Sequence, residues 1–432
     1  MNHNHANYQA RLDFVGALLR DKLLLKEEAD IVPVQYDPES PFKYNNFVYR
    51  VTLGSPVLSS HASSRITPQS TCVPIPDGAK QLIVRLANQE TEGMSMANRV
   101  ENEVAIISLA AAALDGFQPH VVPRVYGWGS AAPKSAQGWI VQELMPGSPL
   151  AEVLGEMDLD QKRKTFAQMA ALLKGLQSYK LPETITGFGG VTFDDAGRIV
   201  GAPMPTVGAG PWPSYEAHFR SRLEASLKKA QDNQYIKGWQ PNRLRERLDK
   251  FISDGVPAQF HALSSKGDRV ITHGDFNASN LLFDPVSGRI TGLIDFDFAA
   301  ILHPSYEFLR SFDGAGGQFR GWYMDEESDE AALRDAKLNG FPSPLPATKA
   351  DGPVQWEDAK AWEEALEEVG AKRPRTLQGI DAVADVDTVL QGILPWRVTN
   401  SDVLKLQTHD TIMQCRDEKE EHLDKLLRRL GF

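Results

Sequence analysis

The sequence predicts an α+β fold in two unequal parts: strands with one long helix over residues 1–142, a short connection at 143–147, and a mainly helical part over 148–432. Three observations lead there. Two early segments alternate apolar and polar residues as strands do, a four-and-three spacing of apolar residues marks a helix at about 100–114, and helical patterns dominate once Pro146 and Gly147 have broken the chain.

In chain order, residues 8–29 read as a first helix. "NNFVYRVTL" (45–53) sets Phe47, Tyr49, Val51 and Leu53 on one face and Val48, Arg50 and Thr52 on the other, as in a half-buried strand. Residues 54–80, rich in Ser, Pro and Thr, read as an exposed loop. "QLIVRLA" (81–87) reads as a strand with Arg85 on the same face as Ile83. In the helix that follows, Val100, Val104, Ile107, Ala111 and Leu114 form one stripe. Glu103 lies roughly 60° from the stripe's centre and Glu101 roughly 100°, so Glu103 is the better placed to reach inward. "GWIVQELMPGSPL" (138–150) reads as a strand that stops at Pro146 and Gly147.

In the second part, residues 159–179 read as a helix. Residues 187–219 are rich in Gly and Pro but lack the Gly-Lys-Ser/Thr ending of a phosphate loop. Residues 313–370 are acidic with little aliphatic pattern and read as a surface insertion. Leu423, Leu426, Leu427 and Leu430 share one side of a last helix that Gly431 ends. Trp212, Trp322 and Trp396 read as core residues, with Trp322, beside Tyr323, the one that suits a pocket.

Composition excludes several function classes. A formal charge of −11 gives no basic footprint for nucleic acid and disfavours an anionic membrane surface; it leaves small ligands, cationic ones included, as the natural partners. Cys72 and Cys415 are too few for a disulfide scaffold or a thiolate metal site, and no apolar run approaches the ~20 residues of a membrane span. The expectation is a soluble, cytoplasmic protein.

The chemistry concentrates in "ITHGDFNASNLLF" (271–283) and "LIDFDFA" (293–299). "NLLFDPVSGRITGLIDFDFA" (280–299) reads as two strands around the turn Asp284–Gly288, a hairpin that carries the chain from Asn280 back to Asp295 and places both beside Asp275. Oxygen-bearing side chains converging at one hairpin end suit a hard cation such as Mg²⁺ that bridges phosphate oxygens. Singly, each of these residues is an ordinary turn or cap residue. The order His, Asp, Asn, hairpin, Asp is harder to obtain from turn chemistry alone.

"HGDFNASN" followed by "LIDFDFA" resembles the catalytic and metal loops of the aminoglycoside phosphotransferase and choline kinase group, relatives of the protein kinases with their H-R-D-x-x-x-x-N loop. The resemblance spans about residues 40–320. It implies a two-lobed protein-kinase-like fold, with a small antiparallel-sheet N-lobe, a hinge at 143–147 and a larger helical C-lobe. It also implies ATP and Mg²⁺ as cofactors and a small-molecule acceptor phosphorylated on a hydroxyl or an amine.

By this resemblance Asp275 accepts or orients the acceptor's proton, Asn280 and Asp295 hold Mg²⁺, and His273 braces the loop. Arg85 stands where the fold usually carries a lysine on the phosphates, with Glu103 as its ion-pair partner. The hinge "QELMPG" supplies backbone groups of Glu143, Leu144 and Met145 to the adenine edge. Asn45 and Asn46 turn where protein kinases have a glycine-rich loop, and Asn46 is counted among the nucleotide-binding residues. Asp297 is either a second metal contact or a hydrogen-bond brace. Glu307 stands where the family often carries an aspartate under the catalytic loop, and a helix-surface glutamate is an equal reading. The rival readings are a pseudokinase, which Arg85 and the glycine-free turn favour, and a protein kinase, which the lack of an activation segment disfavours.

Overall fold

The computed structural model describes residues 3–25, 28–35, 37, 39–58, 69–133, 136–349 and 352–432. Much of the 54–80 loop is among them, but residues 59–68 lie outside. A five-stranded antiparallel sheet opens the fold, in the order β1-β2-β3-β5-β4. Its strands are β1 (Ala29–Pro33), β2 (Asn46–Leu53), β3 (Gln81–Ala87), β4 (Val125–Gly129) and β5 (Trp139–Glu143).

Helix α1 (Tyr8–Asp21) packs Val15, Leu18 and Leu19 on one face of this sheet, against Tyr49, Val51, Leu82, Val84 and Val141. Helix α2 (Arg99–Ala113) belongs to the main core that covers the other face through Ile140 and Val125. Strand β3 is therefore buried on both sides, and six of its seven residues are buried. Its period of two sends Leu82, Val84 and Leu86 toward α1, and Ile83, Arg85 and Ala87 the opposite way.

Several expected bounds differ. Helix α1 ends at Asp21 and not near 29, and the residues expected to prolong it give way to β1, a short edge strand closed by Pro33. Strand β4 was not anticipated: two glycines interrupt its pattern, and it joins β5 through a bulge between Val125 and Gly127. Strand β5 stops at Glu143 and not at Pro146. Ala111 is exposed, whereas Val100, Val104, Ile107 and Leu114 are buried as the stripe predicts.

Beyond β5 the chain pairs Ser148–Pro149 (β6) with a hairpin of the second part. Helix α3 (Leu159–Ser178) starts at a reciprocal capping box of Asp158 and Gln161. The Gly-rich stretch resolves into a hairpin, β7 (Gly190–Phe193) and β8 (Ile199–Ala202), followed by α4 (Tyr215–Asp232). Strand β9 (Val270–Thr272) leads into "HGDFNASN". The hairpin β10 (Leu281–Asp284) and β11 (Arg289–Leu293) follows, and β12 (Ala300–Leu302) returns to pair with β9. The remaining helices include α5 (Ser305–Arg310), α6 (Asp329–Asn339), α7 (Trp356–Glu368), α8 (Ile380–Ile393) and α9 (His409–Arg429).

The region 313–370, expected at the surface, is only partly so; residues 350–351 lie outside the described ones. Helix α7 buries Trp356, Ala359, Trp362 and Leu366 and packs along α3. Its apolar face is built from tryptophan and alanine at three- and four-residue spacing, so a search for aliphatic residues misses it. Trp212 is buried, Trp322 half-buried, and Trp396, expected in the core, is 58% exposed beside Phe42. Among the described residues no helix is long and apolar enough to cross a membrane.

One buried group makes stability pH-dependent. His218 of α4 is fully buried among Trp212, Tyr215 and Phe219, and among the described residues neither ring nitrogen has a hydrogen-bond partner. Burial, with Arg222 adding, holds its pKa well below the ordinary 6.5. The unfolded chain therefore binds a proton that the folded one refuses, and stability is lost as pH falls below about 6.5. Burial also holds His303 down, to about 4. Melting temperatures measured between pH 7.5 and 5 should fall with pH in the wild type, as stability drops by up to about 1.36 kcal/mol per pH unit for each histidine the fold keeps neutral. They should fall distinctly less in His218→Phe.

Candidate active site

The loop after β9 is bent by Gly274, whose backbone is left-handed (φ 75); a Cβ there would lie 2.6 Å from the Phe298 carbonyl oxygen. Only glycine fits that approach. The bend carries Asp275 out of the core to a half-exposed position, while His273 and Phe276 on either side stay buried.

Two asparagines then orient the Asp275 carboxylate. Asn280 Nδ2 donates to Asp275 Oδ2 at 2.8 Å and to its carbonyl at 2.9 Å, and Asn277 Nδ2 donates to Oδ1 at 2.6 Å. Each carboxylate oxygen has a second lone pair left for an incoming proton donor. The five-residue spacing thus closes a short turn, and it leaves the Asn280 Oδ1 available on its other side. Asn277 is a residue that reading by motif had not assigned.

The β10–β11 hairpin brings the metal segment to this loop. Leu281 pairs with Leu293, and the Ile294 N–H donates to the Asn280 carbonyl at 3.0 Å, so Asp295 emerges next to Asn280. Asp295 sits in the left-handed region (φ 65), which aspartate tolerates better than most side chains. His273 Nε2 lies 3.0 Å from the Ile294 carbonyl, which makes the ring the donor, and its ring packs on Phe296 with centroids 4.8 Å apart. His273 is therefore a brace between the two loops.

Glu307 is buried and lies on α5 under the catalytic loop. It accepts from the backbone N–H groups of His273 at 2.6 Å and Gly274 at 2.9 Å, and from Ser311 Oγ at 2.6 Å. Ser311 Oγ in turn accepts from the Phe276 N–H. Burial raises the Glu307 carboxyl, and His273 and these donors oppose the rise. The helix-surface reading of Glu307 is excluded; its position six residues before Asp313 in a run of apolar neighbours was the available signal.

On the sheet side, Arg85 and Glu103 meet as expected. Arg85 Nη2 is 3.0 Å from Glu103 Oε1, and the same nitrogen donates to Asp295 Oδ1 at 2.7 Å. Burial would lower the Arg85 pKa, but Glu103, Asp295 and Asp297 together raise it above the ordinary guanidinium value. Burial pushes the Glu103 carboxyl above the usual carboxylate range against the pull of Arg85. For Asp295 burial acts in the same sense, but Arg85 outweighs it and the carboxyl is lowered. Arg85 Nε is buried without a partner among the described residues.

Asp297 is a brace. It accepts from Asn46 Nδ2 at 2.6 Å and pairs with Arg99 at 3.1 Å, and all three side chains are buried. The Asn46 side chain is thereby turned into the protein, which leaves only its main chain to face a nucleotide. The Glu143 side chain is also turned aside, toward His120 at 2.8 Å and the Arg124 N–H at 3.2 Å. Leu144 and Met145 follow it outside any strand, and the Met145 N–H has no hydrogen-bond partner among the described residues.

Glu103, Asp295 and Asp297 approach within 4.8 Å of one another, the spacing of a metal cluster. Their charge is taken up by Arg85 and Arg99, so the better cation position is the other side of Asp295. There the carboxylate is 38% exposed and Asn280 Oδ1 adds a second hard oxygen.

A cavity of about 370 Å³ opens in the helical part, lined by Phe319, Trp322, Tyr323, Asp387, Gln391 and His422. Asp387 is 3% exposed, and its Oδ1 has no partner among the described residues. Leu309 of α5, the helix that carries Glu307 under the loop of Asp275, also lines this cavity.

A family model described as APH: Phosphotransferase enzyme family matches residues 75–348, more than half of the chain. No curated protein sequence matches it. Similar solved structures include a thermostable mutant of an aminoglycoside phosphotransferase in a ternary complex with ADP and hygromycin B. It is 13% identical, with 96% of this chain and 98% of that one covered and a TM-score of 0.46. An ethanolamine kinase from Plasmodium vivax is 13% identical, with 94% and 86% covered and a TM-score of 0.46. An aminoglycoside phosphotransferase in a ternary complex with streptomycin and ATP is 12% identical, with 93% and 97% covered and a TM-score of 0.47.

Glu307→Ala removes the acceptor of two loop amides, at about 1–3 kcal/mol for each buried donor left unpaired. The His273 and Gly274 amides should exchange with deuterium at least about tenfold faster while those of α3 keep their protection. Unchanged exchange at the two amides would show that the loop holds itself.

Proposed function

The chain belongs to the phosphotransferase enzyme family, and on that premise we propose that it transfers the terminal phosphoryl group of ATP, with Mg²⁺, to a hydroxyl of a small molecule. The observation that carries this reading is the pairing of Asp275 with Asn280 in one hydrogen-bonded turn, with Asp295 delivered beside it by the hairpin.

The donor set fits Mg²⁺: a carboxylate oxygen of Asp295 and the amide oxygen of Asn280 are hard oxygen ligands, few enough to leave room for waters and phosphate oxygens. The ion's contribution when bound is to bridge and neutralise phosphate charge. Everything else is done by the chain. Asp275, held by Asn277 and Asn280, accepts the hydroxyl proton of the acceptor and orients its oxygen for attack. Arg85, whose Nε has no partner among the described residues, binds phosphate oxygens from the sheet side. The free Met145 N–H in the hinge meets the adenine edge. Phosphoryl transfer asks for this kind of positioning and electrostatics, and for little covalent participation by the protein.

The acceptor site we assign to the cavity beside Asp387. A buried carboxylate oxygen without a donor favours an acceptor that brings one, an amino group above all. Cys72 and Cys415 are both unpaired, which suits the reducing cytoplasm.

One observation favours a second reading, a nucleotide-binding pseudoenzyme: Arg85 holds Asp295, the proposed metal ligand, at 2.7 Å. The two readings separate in an ADP-release assay with Mg²⁺ against amino sugars, amino alcohols and sugar alcohols. A true kinase releases ADP with at least one acceptor, and Asp275→Asn and Asp295→Asn each lose about 10²-fold or more of that rate. Binding of Mg·ATP without release above these variants, across the whole panel, selects the pseudoenzyme.

A further inference from the structure

The tight turn expected at Asn45–Asn46 is an open bend at Asn45, with Asn46 already paired in β2 and neither residue left-handed; this glycine-free entry to the strand is held by a side chain from elsewhere. Arg99, the first residue of α2, is 1% exposed. Its Nη2 donates to the Asn45 carbonyl at 2.7 Å, lies 3.2 Å from Asn46 Oδ1 and pairs with Asp297 Oδ2 at 3.1 Å, while Nη1 reaches the Asn88 carbonyl at 3.4 Å. Asn46 Nδ2 closes the ring on Asp297 Oδ2 at 2.6 Å.

Neither helix formation nor packing explains an arginine there. The first turn of a helix disfavours a positive charge by about 0.3–1 kcal/mol. Burying a guanidinium costs several kcal/mol unless partners repay it. Its partners are the bend on one side and the metal segment on the other. Both Asp297 oxygens are engaged, Oδ1 by Arg99 and Oδ2 by Arg99 and Asn46 with Arg85 at 3.9 Å, so Asp297 joins the bend to the metal segment.

We propose that Arg99 is a positioning residue that locks the Asn45–Asn46 bend to the metal segment through Asp297, doing the work of a glycine-rich phosphate loop by clamping instead of by backbone freedom. Asp297 lies two residues after Asp295, so the clamp makes the position of the bend over the phosphates and the placement of the metal ligand a single event. The proposal rests on the nucleotide-site reading above.

The test is calorimetric titration of the full chain with a non-hydrolysable ATP analogue, AMP-PNP, with and without Mg²⁺. Arg99→Lys keeps the charge and loses the fork. It should weaken Mg·AMP-PNP binding at least about tenfold and shrink the tightening that Mg²⁺ gives, since nucleotide and metal sites are then uncoupled. Asn46→Ala leaves the Arg99–Asp297 pair intact and should give a smaller loss in the same direction. It carries the test if the lysine variant fails to fold. In the double variant the losses should fall short of additive. A lower melting temperature with an unchanged ratio of affinities with and without Mg²⁺ would mark the network as structural and overturn the clamp. No binding of Mg·AMP-PNP by the wild type would overturn the nucleotide reading itself, and the clamp with it.

Discussion

Arg85 is buried in the sheet at the point where three acidic side chains meet, and the rest of the site is arranged around that fact. A buried guanidinium cannot shed its charge, so the chain must supply anions within reach or lose several kcal/mol. Glu103 comes from α2, and Asp295 and Asp297 come from the segment after the β10–β11 hairpin. One side chain therefore ties sheet, helix and metal segment together. The second buried guanidinium, Arg99, ties the same segment to the start of β2. With Glu103 ionised, two guanidiniums face three carboxylates and one negative charge remains; with Glu103 protonated, the group is neutral. Either way most of the charge is spent internally, and only Asp295, the most exposed of the three acids, has capacity for an outside cation.

The catalytic loop follows a different rule. Among the described residues Asp275 makes no ion pair; amide groups of Asn277 and Asn280 hold it, and amides orient a carboxylate without neutralising it. The charge that stiffens the loop sits one layer below, on Glu307, where it is spent on backbone N–H groups of His273 and Gly274. Asp275 thus stays half-exposed while the groups that hold its loop are buried. His273 completes the arrangement by bridging to the Ile294 carbonyl, which ties the loops carrying Asp275 and Asp295 to each other.

What the sequence made legible follows from how each contact is encoded. Motif spacing is local, and the Asp275–Asn280 turn and the hairpin to Asp295 are local structures, so they were readable apart from the part Asn277 plays in holding Asp275. The Arg85–Glu103 pair was implied by the family resemblance, and strand and helix periodicity agree with it by turning each partner inward. Arg99 gave no signal: at the first position of a helix an arginine reads as solvated, and only the fold shows that its partners arrive from residues 45–46 and 297. Helix α7 failed for a compositional reason, since its buried face is tryptophan and alanine where the search was for leucine and valine. Strands β1 and β4 failed because short edge strands carrying Pro or Gly have little periodicity to detect.

Arginine in place of lysine at position 85 changes how the phosphate grip is built. A lysine would present one point charge, to be shared between Glu103 and the phosphates. Arginine divides the tasks along its fork: Nη2 alone takes both Glu103 and Asp295, and Nε remains buried and unpaired among the described residues. An unpaired buried N–H costs about 1–3 kcal/mol. An anion arriving at that edge recovers the cost without breaking the ion pair to Glu103, which a single ammonium cannot arrange as cheaply in geometry. The substitution therefore does not by itself imply loss of nucleotide binding. On the function proposed above, the edge that would meet the phosphates is the flank of a planar group held in place by two carboxylates, where a lysine would use its tip.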